Sequence, residues 1–234
     1  MDFRANLKTD NENIKIISTA TYTDDGNNQM SHGTVFFLDS RYCNTYVRTM
    51  VLGGVATKPE YRRNGCVRRL FDYAFQQSDQ EKAVVSILHP FSFSYYRKFG
   101  YEKISNHKVI EFPVSAIDYI PRYPDLVHYT SLDRLPDLLK IFEQFSENRN
   151  VMLKRFDASR FPVSSSETRL NTYLYYAKNG EPEGYITVKV EDVFSVNRMV
   201  GLYLHITELG FVNNEALIVL VGFVRKYQGQ VDNV

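Results

Sequence analysis

The order of apolar and polar residues predicts a mixed α/β chain. Residues 14–23 and 33–38 are rich in β-branched and aromatic side chains, and the sequence Asp-Asp-Gly-Asn-Asn between them is typical of a tight turn. These segments predict a β-hairpin. Residues 47–57 predict the next strand, which ends before Pro59 because proline lacks the N–H that a central strand donates.

A helix is predicted to follow from Cys66. Its apolar residues recur at the spacing that places them on one helical face: Val67, Leu70, Phe71 and Ala74. Residues 82–88 then predict a short strand, 93–99 a compact helix and 107–112 a final strand. This order of elements indicates an α/β fold with a mixed sheet.

The second half of the chain repeats this order after a predicted linker at residues 117–125. The elements predicted there are a helix, three strands and a last helix, at residues 132–145, 173–177, 185–190, 202–209 and 213–226. The repetition suggests a weak internal duplication and two domains, residues 1–116 and 117–234. The second strand-to-helix junction carries no arginine and no glycine entering the helix, so we expect it to bind no anion.

Composition and charge restrict the function classes. Hydrophobic residues make up 44% of the chain and charged residues 24%, which is typical of a folded globular protein. The 28 basic and 27 acidic residues nearly cancel, so no overall field attracts nucleic acid or an anionic membrane. The apolar stretch 216–224 is too short to cross a bilayer. Cys43 and Cys66 give neither a disulfide framework nor a metal-ligand spacing, and no apolar leader follows the polar start, so we expect a cytoplasmic protein with no metal site.

Candidate chemistry concentrates in residues 54–68, where a predicted strand leads through a basic loop into a helix. The N–H groups of a first helical turn point outward and carry partial positive charge, and Gly65 lets a bulky anion approach the backbone. Arg62, Arg63 and Arg68 add charge-assisted donors. A pyrophosphate is the ligand that such a site fits best.

These residues carry a family resemblance. The run Arg-Arg-Asn-Gly-Cys-Val at 62–67 resembles the R/Q-x-x-G-x-G/A pyrophosphate loop of GNAT N-acetyltransferases, with Val67 in place of the usual small residue. Together with Ser-Ile-Leu-His-Pro-Phe at 86–91 and Tyr-Arg-Lys-Phe-Gly-Tyr-Glu at 96–102, it resembles the enhanced-intracellular-survival (Eis) type of GNAT protein. The resemblance implies a GNAT fold followed by a second, degenerate GNAT-like domain. It also implies homo-oligomers and a third domain, which this sequence does not contain.

The resemblance implies acetyl-CoA as the cofactor and assigns roles to individual residues. The end of the strand would pair with the pantetheine arm, the loop would hold the pyrophosphate, and the exit of the next strand would line the cofactor. The strand-end residues are Val55, Ala56 and Thr57. The loop residues are Arg62, Arg63, Asn64, Gly65, Cys66, Val67 and Arg68. The residues at the exit of the next strand are Phe91 and Ser92. Tyr96 matches the family's tyrosine that protonates the departing thiolate, a sensible role for a phenol with a pKa of about 10.

The function implied is transfer of an acetyl group by direct attack of a primary amine, such as an aminoglycoside, a polyamine or a lysine side chain. The alternative is a non-catalytic CoA-binding or protein-interaction module. Residues 8–17 leave little room for the two helices that usually wall the acceptor pocket, and the strand at 47–57 offers no carboxylate as a base. Core packing is the alternative role for Tyr96, and Tyr95 is its rival as the proton donor.

Overall fold

The computed structural model describes residues 1–23, 25–106, 108–121, 126–157, 161, 164–167, 169–195 and 198–234. The chain forms two compact units, Met1–His107 with Arg149–Lys154, and Lys108–Asn148 with Arg155–Val234. The sequence pattern predicts the division after residue 116 instead. Phe112 accounts for the difference, because its backbone N–H and C=O both bond to Val234, at 3.2 and 2.9 Å.

The first unit contains most of the strands that the hydrophobic pattern predicts. Its strands are β1 (Asp2–Asp10), β2 (Ile14–Tyr22), β3 (Gln29–Tyr42), β4 (Thr45–Thr57), β5 (Val85–Leu88) and β7 (Met152–Leu153), and its helices are α1 (Cys66–Gln80) and α2 (Phe93–Arg97), with a 3-10 turn at Pro59–Tyr61. The strand order is β1-β2-β3-β4-β5, with β7 paired to β3. All pairs are antiparallel except β4 with β5, which run parallel.

Helix α1 covers this sheet with the apolar face that its spacing predicts. Cys66, Leu70, Phe71 and Ala74 are buried, while Val67 is half-buried. They pack with the inward residues of the strands, of which Val35, Phe37 and Met50 are fully buried. This packing fixes where the helix begins relative to the end of β4.

The second unit also packs helices against a sheet, here one whose strands all pair antiparallel. Its strands are β6 (Val127–His128), β8 (Leu170–Tyr176), β9 (Pro182–Ser195) and β10 (Arg198–Phe211), and its helices are α3 (Leu135–Ser146) and α4 (Asn214–Val224), with 3-10 turns at Val114–Ile117, Leu132–Arg134 and Arg225–Tyr227. The strand order is β10-β9-β8-β6. Ile186, Leu204 and Leu220 lie at the centre of its core.

Besides the short strands β6 and β7, which are not predicted, two features of the strands differ from the prediction. Strand β1 is not predicted, although its Phe3 and Ala5 pack against the core, because most of its other side chains are polar and exposed. The strand predicted at 107–112 is absent from its described residues 108–112, where Val109 and Ile110 are 80% and 78% exposed. Local β propensity does not form a strand without a partner edge.

Part of the linker predicted at 117–125 lies outside the described residues. Within the described part of the chain, no helix is long and apolar enough to span a bilayer.

Candidate cofactor-binding site

The ends of β4 and β5 separate and leave an open strand edge. The parallel pairing runs from Thr49 opposite Val85 to Leu52 opposite Leu88, where β5 ends. Strand β4 continues to Thr57, so in the described structure its edge toward β5 has no strand partner beyond Leu52. Such an edge can hydrogen-bond an extended ligand that carries amide groups.

A β-bulge lies within this open segment. His32 pairs with Ala56 and Thr34 with Gly53, so Gly54 and Val55 stand opposite Gly33 alone. Gly54 has a φ of +60°, which a residue with a Cβ rarely adopts. A bulge re-aims the backbone groups of its strand. It was not predicted from the sequence, although the Gly-Gly pair at 53–54 is a recognisable signal.

Helix α1 begins close to this strand end, at a residue with an open backbone. Gly65 has φ +77° and ψ 4°, provides no side-chain cap, and would place an added Cβ more than 4 Å from any neighbouring atom. Its carbonyl oxygen accepts a bond from Arg69 N at 3.2 Å. The N–H groups of Cys66, Val67 and Arg68 have no acceptor within the helix and carry its positive end.

The arginines around this turn are not neutralised. Arg62, Arg63 and Arg68 are exposed, and none of them pairs with a carboxylate in the part of the chain that the structure describes. Arg62 Nε lies 3.5 Å from Thr57 O, and the guanidinium of Arg68 lies 6.0 Å from the Phe99 ring. A diphosphate therefore fits the residues present, with backbone N–H groups at its centre and guanidinium groups around it.

Not every predicted cofactor residue offers its side chain. Cys66 is 2% exposed, and its sulfur lies 3.7 Å from the Met1 sulfur, so only its backbone faces the opening. Thr57 Oγ1 is buried without a hydrogen-bond partner, and this unsatisfied atom lies at the end of the open strand segment. Asn64 and Ala56 are exposed, and Val55 packs against the core.

The segment after β5 forms an aromatic wall. The Ser92 hydroxyl accepts a bond from Tyr95 N at 3.3 Å and so caps α2, and it also lies 3.1 Å from the Ser94 hydroxyl. Phe91 is 74% exposed, and its ring centroid lies 5.4 Å from that of Tyr96. Tyr96 is 5% exposed, and its ring packs against Phe71.

Burial keeps the Tyr96 phenol protonated. Desolvation, with a smaller contribution from Tyr95, raises the pKa of Tyr96 above its ordinary value, and desolvation alone raises the pKa of Tyr95. A protonated phenol can donate to a basic leaving group. Both tyrosines therefore have suitable chemistry, and they differ in that Tyr96 is the more buried.

The corresponding junction in the second unit is occupied by its own side chains. Asn213 Oδ1 accepts a bond from Ala216 N at 2.8 Å, and Asn213 Nδ2 donates to Glu183 Oε2 at 3.0 Å. Glu215 lies in the first turn of α4. This helix start is therefore capped by its own chain and has carboxylates close by, unlike the start of α1.

A cavity of about 930 Å³ in the first unit was not anticipated from the sequence. It lies along β5, α2 and the chain that follows them, and Leu88 and Tyr96 both line it. A smaller cavity of about 540 Å³ lies in the second unit. No group of three or more His, Cys, Asp or Glu side chains suited to a metal occurs among the described residues.

Comparison with known proteins assigns the fold. Residues 8–104, less than half of the chain, match the family model of an acetyltransferase (GNAT) domain. The solved structures that resemble the chain are GNAT-related and share its mixed α/β fold over nearly its whole length.

Three solved structures illustrate the similarity. A GCN5-related N-acetyltransferase from Anabaena variabilis is 22% identical with a TM-score of 0.76, and the match covers 95% of this chain and 55% of that protein. A probable N-acyltransferase from Enterococcus faecalis is 19% identical with a TM-score of 0.75, covering 93% and 53%. Eis1 from Mycobacterium abscessus is 14% identical with a TM-score of 0.63, covering 92% and 55%. The chain thus spans about half the length of these proteins, and a search of curated proteins finds no sequence match.

Proposed function

We propose that the first unit binds acetyl-CoA and catalyses transfer of its acetyl group to a primary amine. The observation that carries the proposal is the uncapped start of α1 at Gly65, next to unpaired arginines and the open end of β4. Acetyl-CoA supplies an activated acyl thioester. The resemblance in residues 53–102 extends the proposal to an Eis-type enzyme and to amines such as aminoglycosides, polyamines or lysine side chains.

Each part of the site has a separate task in this proposal. The first-turn N–H groups of α1, with Arg62, Arg63 and Arg68, bind the diphosphate. The open edge of β4 orients the pantetheine arm, and the N–H of Val55, within the bulge, polarises the thioester carbonyl. Tyr96 donates its phenolic proton to the sulfur that leaves. Most of the rate enhancement then comes from positioning and from oriented dipoles.

A non-catalytic CoA-binding module is the second candidate. One observation favours it: the described residues before α1 contain strands and turns but no α-helix, so no helix of that region walls an acceptor pocket. Such a module would keep the diphosphate site and lack turnover. The two candidates therefore predict the same ligand binding and different chemistry.

A two-stage experiment tests the proposal. Acetyl-CoA should raise the thermal stability of the chain, because a ligand that binds only the native state stabilises it. Release of CoA thiol is then measured against a panel of aminoglycosides, polyamines and lysine peptides. We expect Tyr96→Phe to lower kcat by about 10²-fold or more while acetyl-CoA binding is kept. Tyr95→Phe, at the adjacent and less buried ring, is the matched control and should retain turnover.

The outcomes separate the candidates. Stabilisation by acetyl-CoA without thiol release for any amine would support the binding module. Absence of stabilisation would contradict both. Equal loss of turnover in Tyr95→Phe and Tyr96→Phe would exclude a specific role for Tyr96.

A further inference from the structure

The large cavity of the first unit shares one lining residue, Tyr96, with the proposed acetyl-transfer site. Leu88 is the last residue of β5 paired with β4, directly before the two strands separate, and it lines the cavity. Tyr96, the proposed proton donor, lines it as well. In the proposed function the sulfur that receives this proton is bonded to the acyl carbon, so the acyl group would begin next to Tyr96.

The wall of the cavity is suited to a hydrocarbon chain. Apolar and aromatic side chains from β5, from α2 and from the segment after it form most of the lining, among them Ile87, Leu88, Phe93, Phe99 and Ile104, of which Phe93 and Ile104 are also exposed to solvent. The ion pair of Arg97 Nε with Glu102 Oε1, at 3.0 Å, is exposed and lies at the rim. An acetyl group has one methyl and occupies only a small part of about 930 Å³.

We propose that this cavity is an acyl-chain pocket and that the protein prefers acyl-CoA donors longer than acetyl-CoA. The inference rests on the proposed function, because it assigns the donor of the same site. The transfer balances as for acetyl: the amine nitrogen forms a bond to the acyl carbon and loses a proton, the carbon–sulfur bond breaks, and the sulfur receives a proton. Only the length of the chain on the carbonyl differs.

The expected size of the effect follows from apolar burial. Each methylene removed from water contributes about 0.8 kcal/mol, or about fourfold in affinity. Butyryl-CoA, with two more methylenes than acetyl-CoA, should therefore bind about fifteenfold more tightly. The gain should continue toward octanoyl-CoA, and the heat-capacity change of binding should become more negative with chain length.

The test measures dissociation constants of CoA, acetyl-CoA, butyryl-CoA and octanoyl-CoA by calorimetry, and turnover of the same donors with the amine panel. Ile104→Trp places an indole at the cavity wall, where the native side chain is 70% exposed. We expect it to lower the ratio of octanoyl-CoA to acetyl-CoA affinity at least about tenfold. Val84→Trp is the matched control, since Val84 is similarly exposed at 71% but does not line the cavity.

The outcomes again separate the possibilities. Affinity that rises with chain length in the native protein and in Val84→Trp, but not in Ile104→Trp, would support the acyl pocket. Equal affinity for acetyl-CoA and octanoyl-CoA, or a preference for acetyl-CoA, would overturn it and leave the proposed function intact. Failure of every CoA compound to bind would instead refute the cofactor site, and the acyl pocket with it.

Discussion

Replacement of Gly65 by alanine tests the site at its most specific point. Gly65 has a left-handed backbone with φ +77°, and its Cβ would project into open space. The methyl group therefore causes no clash, and the cost of the left-handed conformation is about 1–2 kcal/mol of stability. In the complex, however, the methyl group would stand beside the N–H groups that we assign to the diphosphate. Loss of one hydrogen bond to a charged group costs about 1.5–3 kcal/mol, which weakens binding about 10- to 150-fold.

A matched glycine separates this effect from backbone strain. Gly180, in the turn between β8 and β9, has φ +83°, and a Cβ added there would also meet no atom within 4 Å. Gly180→Ala should therefore lose similar stability and keep native affinity for acetyl-CoA. Urea unfolding measures the first quantity and calorimetry measures the second. The diphosphate assignment is refuted if Gly65→Ala binds acetyl-CoA as tightly as the native protein, or if both variants weaken binding equally.

Contacts within the two units give three more predictions. Arg63→Ala should weaken acetyl-CoA binding about tenfold and reduce the salt dependence of binding, both measured by calorimetry. Arg69→Ala should change binding little, because Arg69 Nη1 already donates to the Met1 carbonyl at 3.2 Å. Equal effects of the two variants would contradict the assignment of Arg63 to the diphosphate. Gly210→Ala should lower the free energy of unfolding by about 1–3 kcal/mol, because the added Cβ would lie 2.3 Å from the buried Tyr185 ring. An unchanged midpoint of urea unfolding would contradict this packing. Burial raises the pKa of Tyr101 to about 12. The Tyr101 phenol therefore ionises at lower pH in the unfolded chain than in the folded one, and the free energy of unfolding should fall as the pH rises from about 10 through 12. Tyr101→Phe should flatten this fall in alkaline denaturation, and an unchanged pH dependence would argue against the shift.

Local sequence patterns were sufficient for much of the first unit. The spacing of Leu70, Phe71 and Ala74 predicted the buried face of α1, and turn residues predicted the β2–β3 hairpin. These signals depend on neighbours a few positions away in the chain. The arginine and glycine content of residues 62–65 predicts an anion site from the sequence alone, and this assignment stays a prediction.

The features that depend on distant partners could not be predicted in this way. The bulge at Gly54 results from the register of β4 against β3, and the open edge of β4 results from where β5 ends. The burial that raises the pKa of Tyr96 comes from rings such as Phe71, which lies far earlier in the chain. Residues 108–112 have strand-forming side chains, but the structure gives them no strand to pair with.

The side-chain cap at Asn213 has a consequence for the number of acetyl-CoA molecules that one chain is expected to bind. Helices α1 and α4 each follow a long strand, but only α4 has a side-chain cap, the Asn213 oxygen that lies 2.8 Å from Ala216 N. A ligand competing there would have to displace that oxygen and approach the carboxylate of Glu183. For the proposed acetyl-CoA site of the first unit, we therefore expect saturation at one equivalent per polypeptide.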